Sequence, residues 1–234
     1  MKNNLIYKLV DKFLMNDFSK IISKKLEVFN EKEPIIFDVG CFLGNFSRSL
    51  KKKLNNKAKF YLFDPNPNLK LKDFNTIQLA ISDSTGNQNY NLNTFFPASG
   101  SSLNEITKND KLWNFTRKLI TGSINKNFIT FPVKTSTLDN FCNENDVKNI
   151  TILKIDVEGS ELKVLNGARE ILKNTKLIQI EILDTKKKYT EKYLAVKDLL
   201  ENQYNFKLIK EKKIWSLGML SNMKAVDALF MNFN

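Results

Sequence analysis

The chain contains no histidine, and this absence excludes several kinds of chemistry at once. Without an imidazole there is no Ser-His catalytic pair, no histidine-ligated zinc and no histidine general base. Only two cysteines occur, Cys41 and Cys142, so the sequence supports neither a disulfide framework nor a cysteine metal site. A general base must therefore be Asp, Glu, Lys, Tyr or Cys.

Long apolar runs are also missing. No stretch approaches the ~20 apolar residues that a membrane-spanning helix needs. The N-terminus lacks the compact apolar segment and cleavage site of a signal peptide, which together with the two cysteines predicts a reduced, cytoplasmic protein. The 234 residues are 42% hydrophobic, enough for a sizeable core, and one α/β domain with additions is the default expectation.

Arginine is scarce although the chain is strongly basic. The formal net charge is +12, yet arginine occurs only at Arg48, Arg117 and Arg169, while lysines are spread along the whole chain. Arginine is the better reader of bases and phosphates. We therefore expect a solvated basic surface and no sequence-specific nucleic-acid binding, and a true nucleic-acid surface stays as the alternative.

An amphipathic helical segment is predicted within residues 1–33. Apolar side chains recur at helical spacing through residues 5–26, and lysines occupy the opposite side. The pattern favours a helix packed on the domain or on a second subunit. A basic helix resting on a membrane surface is the alternative.

From residue 34 onwards strand and helix patterns alternate, which predicts one domain over 34–234 with a mainly parallel sheet and helices on both faces. Strands are predicted at 35–39, 60–63, 76–81, 150–155 and 177–183, and in the tail "KAVDALFMNF". Helices are predicted at 44–54, 161–172 and 193–201.

The interval 87–149 departs from this alternation. The stretches "NQNYNLN" and "FITFPVKTSTL" have the pattern of two additional antiparallel strands. Between them lies a polar insert at about 94–127, and inserts of this kind usually serve as lids or binding elements. Trp113 and Phe115 give the insert apolar side chains to bury or to stack on a ligand.

Acidic residues fall at the carboxyl ends of the predicted parallel strands, where ligands bind in open sheets. They are Asp38, Asp64, Asp156 with Glu158, and Glu181. Because the carboxyl ends of parallel strands meet at one edge, four such positions predict a common site.

The turn after the first strand reads D-x-G-x-x-x-G, with glycines at 40 and 44. Glycine allows positive φ and lets the backbone pass close to a ligand. The dinucleotide fingerprint would need glycine where the chain has Phe42 and Asn45, so nicotinamide and flavin cofactors are disfavoured. The turn and the later Asp64, an acid suited to ribose hydroxyls, together suit S-adenosylmethionine.

The segment "ILKIDVEGSELKVLNGAREIL" at 152–172 resembles the FkbM family of S-adenosylmethionine-dependent methyltransferases. The resemblance extends to "IIFDVGCFLGNFS", "FYLFDPNP", "AISDSTG", "TSTLDNF", "IQIEI" and "DALFMN", and spans about 34–232. It implies a Rossmann-like class I methyltransferase sheet of seven strands with the last one antiparallel. It also implies an O-methyltransferase acting on sugar or secondary-metabolite hydroxyls, with S-adenosylhomocysteine as the product.

The resemblance also implies roles for particular residues. Three positions would hold the methionine part of the cofactor: Asp38, Gly40 and Gly44. Asp64, which stands where the family more often has glutamate, would hold the ribose, and two residues would lie beside the adenine: Ser82 and Asp83. Asp156 would face both the amino end of the cofactor and the methyl acceptor.

A base is needed because a hydroxyl is a poor nucleophile while it keeps its proton. Glu181 is the predicted base, since an acid inside an apolar run should have a raised pKa; a structural hydrogen bond is its alternative role. Asp156 is expected to orient the cofactor, and Glu158 to cap the next helix or grip the acceptor. Mg²⁺ or Ca²⁺ shared by these three acids ranks below direct carboxylate catalysis, so no metal is predicted.

The acceptor is expected to be a sugar, a glycan or a small metabolite that carries a hydroxyl and is anionic in some cases. Two alternatives remain at this point. One is an RNA methyltransferase, suggested by the positive charge, and the other is a protein that keeps the fold and binds without catalysis. Intact acids at the strand ends favour an enzyme, because a site without function has no reason to keep desolvated carboxylates.

Overall fold

A computed structural model describes residues 18–93, 101–103, 128–185, 189–215 and 223–233. The chain order begins with a helix at 18–29, which we call α1. Within the described ranges ten strands follow: β1 Ile35–Val39, β2 Lys59–Phe63, β3 Thr76–Ile77, β4 Ala80–Ile81, β5 Gly86–Asn93, β6 Phe128–Ser136, β7 Ile150–Ile155, β8 Thr175–Thr185, β9 Phe206–Trp215 and β10 Met223–Asn232. The other α-helices are α2 Asn45–Lys53, α3 Leu138–Glu144, α4 Glu161–Asn166 and α5 Tyr189–Asp198.

Seven strands form the central sheet in the order β3-β2-β1-β7-β8-β10-β9. β10 is antiparallel to both of its neighbours, whereas the pairs among β3, β2, β1, β7 and β8 are all parallel. The predicted Rossmann-like sheet with an antiparallel last strand is therefore confirmed. The strand order reverses between β1 and β7, which is where open α/β sheets bind their ligands.

The predicted strands agree best where they are buried on both faces. β1 and β7 have the predicted bounds, and β8 extends the predicted fifth strand at both ends. The predicted strand at 76–81 is wrong as one element, because Leu79 N–H bonds the Ile77 carbonyl at 2.8 Å and turns the chain. Its first half becomes β3 in the large sheet and its second half becomes β4 in a separate sheet.

The predicted helix at 161–172 is too long. α4 ends at Asn166, and a 3₁₀-helix, Ile171–Asn174, follows it. A Cβ atom at position 167 would lie 2.1 Å from the Ser82 carbonyl oxygen, so Gly167 occupies a place where two backbones meet. The predicted helix at 193–201 is α5, which begins earlier and continues as a π-helix at Leu199–Gln203.

Two elements carried no clear apolar pattern and were not predicted. α3 is short, and the Thr137 hydroxyl caps it by accepting from Asn140 N–H at 3.0 Å. β9, with the sequence "FKLIKEKKIW", forms the outer edge of the central sheet. Lysines on an edge strand discourage pairing with another chain. They also interrupt the apolar pattern by which a strand is recognised in the sequence.

The second sheet contains three strands in the order β4-β6-β5. β5 and β6 are antiparallel over eight residue pairs, which confirms the additional strands predicted for 87–149. Ser102 pairs with Asn91 on the free side of β5, so 101–103 lies against this sheet. The rest of the predicted insert, including Trp113 and Phe115, lies outside the described residues.

The described part of the N-terminal segment packs on the domain itself. Phe18, Ile22 and Leu26 of α1 are buried, and they belong to a cluster with α2 and one face of the central sheet. Residues 5–17 lie outside the described residues, so a membrane role for them stays a prediction. Among the helices that the structure describes, none is long and apolar enough to cross a membrane.

Candidate active site

The ends of β1 and β7 touch each other backbone to backbone. Gly40 follows β1 with φ of 77°, and a Cβ atom there would lie 1.8 Å from the Asp156 carbonyl oxygen. The amides of Gly40 and Cys41 both donate to the Phe63 carbonyl, at 2.9 and 3.1 Å, and this joins the turn to the end of β2. The neighbouring backbone therefore requires glycine at position 40.

The rest of the turn also needs the left-handed region. Gly44 has φ of 67° directly before α2, and a Cβ atom there would lie 2.8 Å from Leu71 Cδ1. Phe42 has φ of 40°, an unusual value for a bulky residue. Phe42 N–H donates to Asp64 Oδ2 at 3.1 Å, so a carboxylate at the end of β2 holds this strained residue in place.

Asp64 is therefore part of the turn as well as a candidate ribose ligand. Its second oxygen, Oδ1, accepts from Asn66 N–H at 2.9 Å. Burial raises the pKa of this carboxyl to about 6, although both amide hydrogen bonds lower it. The side chain is buried but contributes to the wall of the cavity beyond the strand ends.

Asp38 lies inside β1 and forms a buried ionic group with Lys154 of β7. The Ser47 hydroxyl donates to Asp38 Oδ2 at 2.7 Å, and Lys154 Nζ lies 3.8 Å from Asp38 Oδ1. Lys154 Nζ is also 2.9 Å from Asp156 Oδ2. Burial raises the pKa of Asp38, whereas Lys154 and Ser47 lower it. Lys154 thus joins two of the predicted cofactor residues through one cation.

Strand register brings the remaining acids together in a layer above Lys154. Glu181 of β8 lies directly opposite Asp227 of β10. Asp156 follows β7, the strand next to β8. With Glu158, these acids line one cavity at the carboxyl ends of the strands, and we call them the acidic layer. β8 continues four residues past Glu181, so this acid lies within the strand and not at its end, where it was predicted.

Within the acidic layer, the surroundings of Glu181 and Asp227 favour bound protons on these two carboxyls. Burial raises the pKa of Glu181 well above its ordinary value, and the negative charges of Asp156, Asp227 and Glu158 raise it further. Burial and Asp156 likewise raise the pKa of Asp227 to about 7. Lys154 acts in the opposite direction on both carboxyls. Such raised values suit groups that take up a proton near neutral pH.

Glu158 does not continue the extended face of Lys154 and Asp156, because β7 ends at Ile155. It lies in a turn with φ of 51°, and its carboxylate is a wall of the cavity. The N-cap of the following helix, α4, is Ser160, whose side chain makes no capping hydrogen bond. The capping role predicted for Glu158 stays a prediction.

An ion pair between Glu161 and Lys192 holds the turn that carries Glu158. Glu161 Oε1 accepts from Gly159 N–H at 2.6 Å, and Lys192 of α5 lies 3.5 Å from Glu161 Oε2. Lys192 Nζ also donates to the carbonyl oxygens of Gly159 at 2.9 Å and Leu183 at 2.8 Å. The turn carrying Glu158 is thus connected to both α5 and β8.

Two buried polar atoms in the cavity wall make no hydrogen bond to any residue that the structure describes. They are Gln179 Oε1 and Ser160 Oγ, on side chains that are each 3% exposed. Gln179 lies two residues before Glu181 on the same face of β8, opposite Lys154 of β7. A buried polar atom without a partner is costly, so both atoms point to a polar ligand.

Ser82 and Asp83 follow two residues that line this cavity, Ala80 and Ile81, but do not line it themselves. Ser82 is buried, its N–H donates to the Ser136 carbonyl at 2.9 Å, and its hydroxyl donates to Asp83 Oδ1 at 3.2 Å. The predicted position of Ser82 and Asp83 beside an adenine stays a prediction.

The small sheet supplies a further wall of the cavity. Tyr90 of β5 and the segment 101–103 line it. The Ser101 hydroxyl accepts from Asn93 N–H at 2.9 Å and helps to hold this segment on β5. The serine-rich start of the predicted insert is therefore part of the site.

Asp227, Gln179 and Tyr90 were not predicted as site residues. Gln179 and Asp227 are the polar interruptions in the apolar strands "IQIEI" and "DALFMN", and Glu181 was found by that same signal. A search for polar residues inside apolar strands, applied to every strand, would have selected both Gln179 and Asp227. Tyr90 carries no such mark, because an aromatic residue in an alternating strand is ordinary.

A family model of the methyltransferase FkbM domain matches residues 38–208, which include every one of these site residues except Asp227. The chain belongs to the FkbM methyltransferase family. A relative named 2-O-methyltransferase NoeI, from Sinorhizobium fredii, is 25% identical over 213 residues, which are 82% of this chain and 80% of that protein. The predicted family is thus confirmed, and the chain is an enzyme of the methyltransferase class.

Solved structures of methyltransferases resemble the fold at low identity. Methyltransferase FkbM from Methylobacillus flagellatus is 11% identical with a TM-score of 0.47, covering 86% of this chain. This chain spans only 44% of the length of that protein. TYW2 from M. jannaschii, solved in complex with AdoMet, is 14% identical with a TM-score of 0.39, covering 93% of this chain and 78% of that one.

Proposed function

We propose that the protein is an S-adenosylmethionine-dependent O-methyltransferase that modifies a hydroxyl of a sugar, a glycan or a small metabolite. The observation that carries this proposal is the acidic layer, which lies in the same cavity as the glycine turn after β1. A methyltransferase that acts on oxygen needs a cofactor site and a proton acceptor side by side.

The residues at the turn fit the cofactor. Gly40 leaves the turn without a Cβ atom, Asp64 presents a carboxylate to the cavity, and Ser160 Oγ offers an unused hydrogen-bonding atom. Asp156 and Lys154 provide a carboxylate and an ammonium group for the amino-acid part. When bound, S-adenosylmethionine would supply a methyl group carried on a sulfonium.

The acidic layer supports a hydroxyl as the methyl acceptor. Carboxylates accept hydrogen bonds from hydroxyls and repel anions, so the reacting end of the acceptor would be uncharged. An anionic part of the acceptor would lie outside this cavity. The name of the relative, a 2-O-methyltransferase, supports transfer to oxygen. Gln179 offers its amide oxygen to a second hydroxyl.

The catalytic work assigned to the chain is positioning and proton removal. Glu181 would take the hydroxyl proton, Glu158 would hold the acceptor, and Asp156 would orient the cofactor. We expect Glu181→Gln and Glu158→Gln each to lower kcat by about 10²-fold with cofactor affinity nearly intact. Asp156→Asn should weaken cofactor binding as well. Wild-type rates in both glutamine variants would refute the assignment of a carboxylate base.

Calorimetry with S-adenosylhomocysteine tests the cofactor site. We expect micromolar affinity, about −8 kcal/mol, and no binding of NAD or FAD. Asp64→Ala should abolish the binding, whereas Asp146→Asn, at a surface acid paired with Lys148, should leave it unchanged. Equal affinities in the two variants would place the cofactor elsewhere.

A methyl-transfer screen tests the acceptor. Labelled S-adenosylmethionine is offered with free sugars, nucleotide sugars, glycans and RNA, and products are read by mass spectrometry. We expect methylated sugar hydroxyls and no methylated RNA. Deletion of residues 104–124 should spare cofactor binding and abolish turnover. RNA as the preferred acceptor would contradict the assignment of a sugar or metabolite hydroxyl. Full activity after the deletion would contradict the role assigned to the insert.

A further inference from the structure

Glu181 has a carboxylate neighbour that sequence reasoning did not assign. Glu181 and Asp227 are direct partners across the antiparallel pair of β8 and β10. Side chains in such positions lie on the same face with Cβ atoms about 5 Å apart. Asp227 is 8% exposed, and both acids line the cavity.

No residue in the described part of the chain neutralises this pair directly. No salt bridge or hydrogen bond from a described residue reaches either carboxylate, although Asp38, Asp64 and Asp156 each have such partners. Two like charges in direct reach of each other cannot both ionise freely, so their protons come off in two linked steps.

We propose that Asp227 and Glu181 work as one carboxylate pair, and that this pair removes the proton from the methyl acceptor. The proposal rests on the proposed O-methyltransferase function and extends it to a residue outside the matched family domain. The form of the pair that accepts the proton is the one in which both carboxyls are ionised, and the raised pKa values decide the pH at which this form is present. The pair leaves the reaction with one proton held between the two carboxyls.

The step balances in atoms and charge. The acceptor O–H bond breaks, and its proton passes to a carboxylate oxygen of the pair. The acceptor oxygen then forms a bond to the methyl carbon, while the carbon–sulfur bond breaks and its electron pair stays on the sulfur. The positive charge of the sulfonium is lost as the pair gains one proton, so the net charge of the site is unchanged.

The surrounding charges make the pair a stronger base than a lone carboxylate. Asp156 and Glu158 face it from the turn after β7 and raise the pKa of Glu181. Lys154 faces it from β7, and Lys212 lies across from Asp227 on β9; these two lysines lower the pKa of Asp227. Burial outweighs both lysines and raises the pKa of Asp227 to about 7.

Carbon-13 titration of labelled glutamate side chains tests the pair without cofactor or acceptor. The Glu181 signal is identified by its loss in Glu181→Gln. We expect it to titrate well above the ordinary range in the wild type. In Asp227→Asn its midpoint should fall by about one pH unit or more, because a like charge has been removed. Asp227→Glu, which keeps the charge, should stay near the wild type, and Asp146→Asn should change nothing.

The pH profile of methyl transfer to the acceptor found by screening gives a second measurement. The acid limb should move to lower pH in Asp227→Asn and the plateau of kcat should fall about 10-fold, because a weaker base remains. A purely structural role would lower the rate without moving the limb.

The failures of the two proposals can be told apart. An unmoved Glu181 midpoint in folded Asp227→Asn overturns the pair, whatever the enzyme methylates. Full activity of Glu181→Gln overturns its role as the base. A coupled titration in a protein that methylates no sugar leaves the pair standing and overturns the assigned acceptor.

Discussion

Replacing Gly40 by alanine should damage the site and the fold together. The new Cβ atom would lie 1.8 Å from the Asp156 carbonyl oxygen, far inside contact distance, and both partners are backbone at strand ends. The φ of 77° adds about 1–2 kcal/mol for any residue with a Cβ atom. Separating the two strand ends adds a further cost of about 1–3 kcal/mol, the usual range for overpacking. We expect a total loss of about 2–5 kcal/mol in the free energy of unfolding.

Gly86 provides the matched control for this experiment. It also has positive φ, 147°, yet a Cβ atom there would meet nothing within 4 Å. Gly86→Ala should therefore lose only the conformational part, about 1–3 kcal/mol for a backbone region that is almost restricted to glycine. Urea denaturation of both variants gives the difference, and calorimetry with S-adenosylhomocysteine should show lost binding only for Gly40→Ala. Equal stabilities of the two variants would refute the argument from the Asp156 contact.

Three further predictions concern charge and metal. The pKa of about 7 for Asp227 lies above its unfolded value of 3.8, so folded protein holds the extra proton and stability falls as pH rises from about 4 to 7. Asp227→Asn should therefore exceed the wild type by about 2–4 kcal/mol at pH 8 in urea denaturation, with the gain vanishing near pH 4; an equal gain at both pH values would contradict this. Lys192→Met should cost about 3–5 kcal/mol in the same assay, because Glu161 is left buried and unpaired, and adding Glu161→Gln should recover part of it; no recovery would argue against the ion pair. EDTA should leave the methyl-transfer rate unchanged, and a loss restored by Mg²⁺ would bring back the metal alternative.

The sequence predicted the central sheet best where both faces are buried. β1 (IIFDV) and β7 (ITILKI) are predominantly apolar, and such runs need little information from elsewhere in the chain. The break between Ile77 and Ala80 could not be predicted, because it depends on β6 offering a second partner to Ala80 and Ile81. β9 was missed because an edge strand rich in lysine lacks the pattern of a buried one.

The same division applies to the site. Asp38, Asp64 and Asp156 could be found because each lies within two residues of the carboxyl end of a recognisable strand. The contacts that give them their properties connect distant parts of the chain, as Lys154 does between Asp38 and Asp156. The pairing of Glu181 with Asp227 depends on the register of two strands 46 positions apart, which no local pattern contains.

The backbone contact between Gly40 and Asp156 has a consequence for how such an enzyme can diversify. It joins the glycine turn after β1 to the acidic layer after β7. A substitution that moves the end of one of these strands therefore also moves the end of the other. Tyr90 and the segment 101–103 belong instead to the small sheet, whose strands are not paired with the central one. Substitutions there can reshape the wall of the cavity while the reactive groups keep their places. Related enzymes can therefore keep the reactive groups on the central sheet and change the acceptor through substitutions in the small sheet.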